Sequence, residues 1–539
     1  GFHLAVDATN ETAIERLRAR KHREAKPLAV MVRTLPEARA LGVVSAAEAD
    51  LLTSAERPIV LLRRRADAPL ARAIAPGLDT VGVMLAYTPL HHLLLDEVRR
   101  PLVMTSGNKS EEPIATDNAD ARQRLAGIAD SFLLHDREIV ARYDDSVVRV
   151  AVDTTIFLRR ARGYAPLPID LPFESPRPLV AVGPHLKNTF TLVHGARAYV
   201  SQHIGDLENL ETLEHFGETL TLYQRLFRIE PEVAVRDLHP GYLSTRVAGD
   251  LGLERIIGVQ HHHAHVAAVL AEHGVTEAAV GVAYDGTGYG DDGHVWGAEV
   301  LVADLEAYRR AGHLRYAPLP GGDLAARMPW RVVLGYLSLE PAAAGAFARA
   351  FTKVDPAERS IAGQQIAHGL NAPLASSMGR LFDAAAAVLG VRRVADYEAQ
   401  AAMELEALAG ARPARPLPFP VAGDGVAGWI LDPVPLLAAL GERLAAGVHV
   451  EDLAAAFHES VAAATDELAA RVATASGTRT VALGGGCFQN ARLLVSVRAR
   501  LEARGLRVLV PQRLGPNDGA VSYGQAAVAA AVLRREQGL

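Results

Sequence analysis

Apolar and polar positions change their period several times along the chain. Runs at Leu28–Val32, Ile59–Leu62 and Leu102–Met104 are short and bounded by turn residues, as buried strands are. Thr12–Arg23 and Asp117–Leu125 lie between such runs and carry apolar residues at helical spacing. The alternation predicts a small α/β domain over residues 1–165. Residues 166–178 then hold Pro166, Pro168, Pro172, Pro176 and Pro178 with no helical period. Because proline lacks an amide donor and fixes its own dihedral, the stretch is read as a linker. Extended segments are expected next at Leu179–Val182, Thr189–Val193 and Arg197–Ser201, followed by strands and helices in alternation to residue 539. That is a second, larger α/β domain. Inside it a mostly helical region at about 329–420 ends in Pro413, Pro416, Pro418 and Pro420, which are expected to join two lobes.

Composition narrows the possibilities. The 539 residues exceed one compact core, and a formal charge of -6 supplies no field to hold polyanions in general. Neither nucleic acid nor a membrane is therefore expected as a partner. The single cysteine, Cys487, excludes an intrachain disulfide and any multi-cysteine zinc module, and it fits a reducing compartment. No long apolar span and no secretory signal pattern occurs, so the cytoplasm is the expected location. Gly1–Ala5 enters an extended segment without a turn or cap, and the natural protein is expected to begin further upstream.

Two constellations carry candidate chemistry. In the small domain a helix is expected to end in the basic run Arg20–Pro27, where Lys21 and Ala25 would share a face and Arg23 and Lys26 lie close together. Such cations hold a polyphosphate or simply complement a helix end. The strand at Leu102 runs into Ser106, Gly107 and Asn108, a strand-end position that suits a ligand or an ordinary turn. Asp144–Ser146 form a turn before a strand carrying Arg149. These blocks resemble the YrdC-type domain, which binds ATP and makes carbamoyl or threonylcarbamoyl adenylates. The resemblance implies Lys21, Arg23, Lys26, Ser106, Asn108 and Arg149 as nucleotide and acyl-adenylate residues. The opening strand of that family is expected to lie before Gly1.

In the large domain, Gln260–Val266 follows a strand and opens a helix on which His261 and His265 share a face. An i, i+4 histidine pair chelates a metal or forms a polar face, and His262 and His263 are read as packing residues. The apolar run Val280–Tyr284 delivers Asp285 to its expected strand end, with Gly286, Gly288 and Gly290 following. Val481–Leu483 leads into Gly484, Gly485, Gly486 and Cys487, a phosphate cradle or a tight turn. Cys487 is read as a buried structural thiol in preference to a nucleophile, since no histidine is paired with it locally. Asp518 is either a partner facing Asp285 across a cleft or a helix N-cap.

The ordered motifs Val182–Asn188, Ser201–Asp206, Gln260–His265, Asp285–Gly286, Gly321–Asp323, Ser376–Arg380 and Asn517–Gly519 resemble the hydrogenase-maturation carbamoyltransferase family HypF over nearly the whole chain. That resemblance implies a YrdC-like α/β domain followed by a two-lobed actin/Hsp70-like domain. It implies one metal ion, iron or zinc, on His261, His265, Asp285 and Asp518. It also implies a nucleotide site on Lys187, Asn188, Gly484, Gly485, Gly486 and Asn490, with Lys187 and Asp285 in catalytic roles. ATP with Mg2+ would convert carbamate, itself from carbamoyl phosphate, to a carbamoyl adenylate. The acceptor would be the C-terminal cysteine of a HypE-type partner, whose thiocarbamate is dehydrated to supply cyanide to [NiFe]-hydrogenase. The family's acylphosphatase-like domain and paired Cys-x-x-Cys zinc modules are not expected in this sequence. Rival readings are a tRNA threonylcarbamoyl transferase, opposed by 5% aromatic content and the acidic charge balance, a small-molecule O-carbamoyltransferase, and an Hsp70-type nucleotide-gated binder.

Overall fold

The computed structural model of the chain describes residues 1–109, 112–424, 426 and 428–538. They divide into two compact units. One comprises Gly1–Arg236, Gly241–Ile257 and Gln512–Ala526; the other comprises Asp237–Pro240, Gly258–Pro511 and Ala527–Leu539.

The first unit opens with an eight-stranded mixed sheet. Its strands run His3–Asp7, Leu102–Ser106, Val30–Val32, Thr80–Leu85, Ile59–Arg64, Val147–Ala151 and Thr154–Arg159, with Gly42–Val43 paired to Ile59–Arg64. The Glu11–Lys21 helix starts at Asn10, whose side chain accepts from the Ala13 amide, and buries Ile14 and Leu17 with Leu28, Val30 and Val83. It stops where His22 takes a left-handed φ of 53°. Arg23, Ala25 and Lys26 thus lie beyond the helix, and the shared face expected for Lys21 and Ala25 does not form.

The expected linker is largely strand: Ile169–Ala181 is the second strand of a four-stranded sheet, ordered Thr191–Val200, Ile169–Ala181, Val233–Asp237, Arg255–Val259. Pro172, Pro176 and Pro178 are tolerated because the parallel pairing with Val233–Asp237 covers only Leu179–Ala181, so no amide is needed on that side at the prolines. Thr191–Val200 is one strand where two were expected, because irregular register around Gly195 bends it without ending it. The Leu210–Phe227 helix, capped by Asn209, buries Phe216, Leu220 and Tyr223 against Val180, Phe190 and Leu192. Each such side chain contributes roughly 1.5–3 kcal/mol on burial.

Residues from the far end of the sequence complete this unit. Ser522 Oγ lies 2.7 Å from Thr189 Oγ1 and 2.8 Å from Thr191 Oγ1, and Tyr523 donates to the Asp170 carbonyl at 2.8 Å.

The second unit is built on a nine-stranded sheet, whose main path runs Val421–Asp424, Gly428–Leu431, Tyr308–Leu314, Val295–Ala303, Ala279–Tyr289, Thr480–Gly484 and Arg507–Leu509. Leu374–Ser377 and Ala317–Pro318 pair off that path. The helices Pro329–Leu339, Pro356–His368, Met378–Val388 and Gln400–Ala409 occupy the expected helical region. The His261–Glu272 helix packs against the Ala279–Tyr289 and Thr480–Gly484 strands. Gly281 makes that approach possible: a Cβ there would come within 2.3 Å of Val266.

Candidate metal and nucleotide site

Gln260 starts the histidine helix by accepting from the His263 amide, and His261, His262, His263 and His265 are all buried. His261 Nε2 and His265 Nε2 converge on the same oxygen, Asp285 Oδ2, at 3.4 and 3.2 Å. Each of the three residues offers one ligand atom, all within 4.8 Å of one another. A tetrahedral metal with arms of about 2.0–2.2 Å separates its ligand atoms by roughly 3.4 Å, so these spacings suit a zinc-sized ion.

Protonation supports the same fit. His261 Nδ1 lies 2.8 Å from Asp237 Oδ2, which is wholly buried, so the ring donates from Nδ1 and turns the Nε2 lone pair toward Asp285. A lone pair and a carboxylate oxygen facing each other require a proton or a cation between them. Burial alone would raise the Asp285 carboxyl, but the two imidazoles facing it, His261 and His265, outweigh it and hold it well below the usual carboxylate range. His262 differs from its neighbours: burial keeps it well below the ordinary histidine range, and its ring packs near Trp296 at 6.0 Å.

Asp285 was expected at a strand end, yet the strand continues to Tyr289. The reason is that its two sides differ. Parallel pairing with Thr480–Gly484 stops at Ala283, whereas antiparallel pairing with Val295–Ala303 resumes at Gly288 after an irregularity. Asp285 thereby projects beside the glycine turn, and Gly486 donates its amide to Asp285 Oδ1 at 3.2 Å. Gly485 has a φ of 93°, and a Cβ there would sit 2.3 Å from the Tyr284 carbonyl, so this position requires glycine. Cys487 is half-buried, not buried as expected; burial first, and then Asp285, pushes its thiol well above its ordinary pKa, which makes it a poor nucleophile.

The other candidates are placed as follows. Asn490 caps the Ala491–Ala503 helix and donates to His458 Nε2 at 2.9 Å. Asn188 is buried, and its Nδ2 closes a loop by donating to the Val182 and Pro184 carbonyls. Lys187 stands beside it with a left-handed φ of 46°, its amide donating to Asp206. Asp518 opens the single turn Asp518–Ala520 in the other unit, where Asn517, accepting from the Gly519 amide, takes the capping role.

In the small sheet, Lys21 is 1% exposed and its Nζ donates to the Ser106 carbonyl, the Asn108 carbonyl and Asn108 Oδ1 at 2.6–2.8 Å. Ser106 Oγ also reaches Asn108 Oδ1, at 2.7 Å. Lys21 thus organises the strand-end loop from within. Burial and then Arg23 push its ammonium down to about 7. Arg23 donates to the Pro27 carbonyl at 2.6 Å, and burial followed by Arg159 and Arg18 pushes it down to about 10. Lys26 is exposed on the loop that Arg18 and Arg23 brace through its carbonyl, while Arg149 stands partly buried on the Val147–Ala151 strand.

Known proteins resemble this chain in sequence and fold. Residues 281–525 match the family described as carbamoyltransferase, Kae1-like domain, second subdomain; residues 174–272 match the HypF Kae1-like domain; and residues 1–161 match the Sua5/YciO/YrdC family described as telomere recombination. Carbamoyltransferase HypF2 of Cupriavidus necator is 46% identical over 98% of this chain and 70% of its own length. Carbamoyltransferase HypF of Synechocystis is 41% identical over 97% and 70%. The chain belongs to the HypF carbamoyltransferase family. The crystal structure of a full-length HypF in its phosphate- and nucleotide-bound form has a TM-score of 0.96 at 44% identity, covering 99% of this chain and 70% of that one. The crystal structure of T. kodakarensis HypF gives 0.92 at 36% identity, covering 100% and 71%.

The chain is therefore a carbamoyltransferase, with a YrdC-like α/β part followed by Kae1-like parts. Two further residues stand beside this cluster without an obvious local signature. Asp237 ends the apolar run Val233–Val235, and a carboxylate ending such a strand is the one signal that could have shown it. Arg380 lies in the Ser376–Arg380 motif; it follows the Ser377 cap, whose hydroxyl donates to the Gly286 carbonyl at 2.7 Å and accepts from the Arg380 amide at 3.1 Å.

Proposed function

We propose that the chain makes a carbamoyl adenylate from ATP and carbamate and passes the carbamoyl group to the C-terminal cysteine thiol of a HypE-type protein in hydrogenase maturation. Activation belongs to residues 1–165. A carbamate oxygen attacks the α-phosphorus of Mg2+-bound ATP and pyrophosphate leaves, while Arg23, Lys26 and Arg149 offset the charge gathered on the phosphates. Lys21 holds the Ser106–Asn108 loop in place beneath them.

Transfer belongs to residues 179–539. The acceptor sulfur attacks the carbamoyl carbon, the carbon–oxygen bond to phosphate breaks, AMP departs with the electron pair, and the thiol proton goes to solvent. His261, His265 and Asp285, with Asp518 as the fourth ligand, would hold an iron or zinc ion, which when bound supplies a Lewis acid to polarise an oxygen of the adenylate. The Gly484–Gly486 loop and the Lys187–Asn188 loop receive the nucleotide. The product thiocarbamate is the precursor of the cyanide ligands, and the reaction takes place in the cytoplasm. Among the described residues, no helix is long and apolar enough to cross a membrane.

One observation carries this reading: two buried imidazoles, one oriented by Asp237, converge on Asp285 beside a glycine loop that donates to the same carboxylate. The test pairs H261A with two assays, ATP–pyrophosphate exchange and carbamoylation of a protein ending in cysteine. Exchange is expected to persist and transfer to fall by about 100-fold or more. Unchanged transfer, or equal acceleration by tRNA in place of the thiol protein, would overturn it.

A further inference from the structure

Arg380 is a charged group that the metal chemistry leaves unused. Its side chain is 14% exposed, and its Nε lies 2.7 Å from Asp383 Oδ2, itself buried. The two terminal nitrogens, with four N–H donors between them, have no hydrogen-bond partner among the described residues. They keep some solvent-facing surface, so an incoming acceptor can reach them. Their position says where it would arrive. Nη2 is the heavy atom that a Cβ on Gly286 would meet, at 3.9 Å, so the guanidinium lies over the residue next to Asp285.

The backbone is shaped to keep it there. Gly379 approaches Gly286 so closely that a Cβ on it would come within 2.8 Å of the Gly286 Cα. Ser377 ties the two segments together, donating to Gly286 and accepting from Arg380. Asp383 pairs electrostatically with the Nε side of the guanidinium and leaves the two terminal nitrogens unengaged. A planar fork with two terminal nitrogens matches an acceptor with two oxygens in one plane, as a phosphate presents and a neutral carbamoyl group does not.

We propose that Arg380 binds the phosphate of the carbamoyl adenylate and stabilises the charge it gains during transfer. The inference rests on the adenylate reading above. The adenylate phosphate carries one negative charge; when its bond to the carbamoyl carbon breaks, the departing AMP takes a second. A cation already in place, with donors that are not otherwise engaged, favours that later state over the earlier one and so acts on kcat more than on KM.

The experiment uses the full chain, with R380Q and R380K compared with the parent and with H261A. Three quantities are measured: ATP–pyrophosphate exchange, carbamoylation of a peptide ending in cysteine, and bound metal by mass spectrometry. R380Q is expected to keep exchange and metal content while transfer kcat falls on the order of 100-fold with little change in the peptide KM. R380K keeps the charge without the fork, covers the case in which R380Q does not fold, and is expected to lie about tenfold below the parent. Transfer within twofold of the parent in either folded variant, or loss of metal in step with transfer, would overturn the assignment. If H261A also left transfer unchanged, the adenylate-transfer reading itself would fall; if H261A abolished it and the Arg380 variants did not, only the present inference would.

Discussion

Asp237 shows how much a single carboxylate decides. It touches the ring of His261 on the side away from Asp285, so its effect on an ion is through the tautomer and angle of that imidazole. D237N is expected to weaken metal binding by about 10–100-fold, read by competition with a chelator, while leaving ATP–pyrophosphate exchange intact. Lys21 gives a second prediction at this scale. With its ammonium pushed from 10.5 to about 7 by burial and Arg23, the unfolded chain binds this proton over a range where the folded chain does not. Native stability therefore rises with pH between about 7 and 10.5, and this component is absent in K21M. The melting temperature of the parent relative to K21M should climb between pH 7 and pH 10; a constant difference would contradict the shift.

Elements were legible where periodicity was local. The helix at Glu11, the strands at Ile59 and Leu102 and the histidine helix lie within a few residues of where spacing and caps put them. What the sequence hid were effects of neighbours. Pro172, Pro176 and Pro178 argue against a strand until it is known that one side of it lacks a partner there. Asp285 looks like a strand end because its glycines look like a loop, yet pairing on one side carries the strand to Tyr289. Likewise the cations after Lys21 lose their helical spacing because His22 turns the chain. Asp237 and Arg380 lie 24 and 119 residues from His261, and no local pattern links them to it. The glycine turn tests this scale directly: G485A places a methyl group against the Tyr284 carbonyl at a φ of 93°, with backbone strain of about 1–3 kcal/mol. Lower thermal stability and loss of transfer are expected together, whereas unimpaired transfer would show that the turn does not set the site.

At the scale of the molecule, acid is the expected weakness. His91 and His215 are buried, and burial first, then the neighbouring His3 ring for His91 and Arg142 for His215, pushes each ring down from 6.5 to about 4. Unfolded, each takes a proton near pH 6.5; folded, each resists to about 4. Their stability is thus present above 6.5 and lost as the pH falls toward 4, so the melting temperature should drop steeply across that window and recover in part in H91Q. The first unit also draws on Gln512–Ala526, with Tyr523 holding the Asp170 carbonyl and Ser522 bridging Thr189 and Thr191. During synthesis those early strands leave the ribosome more than 300 residues ahead of the segment that finishes them. The nascent chain must wait with those strands unfinished until residues 512–526 have been made, a window in which an incomplete sheet is open to wrong pairing.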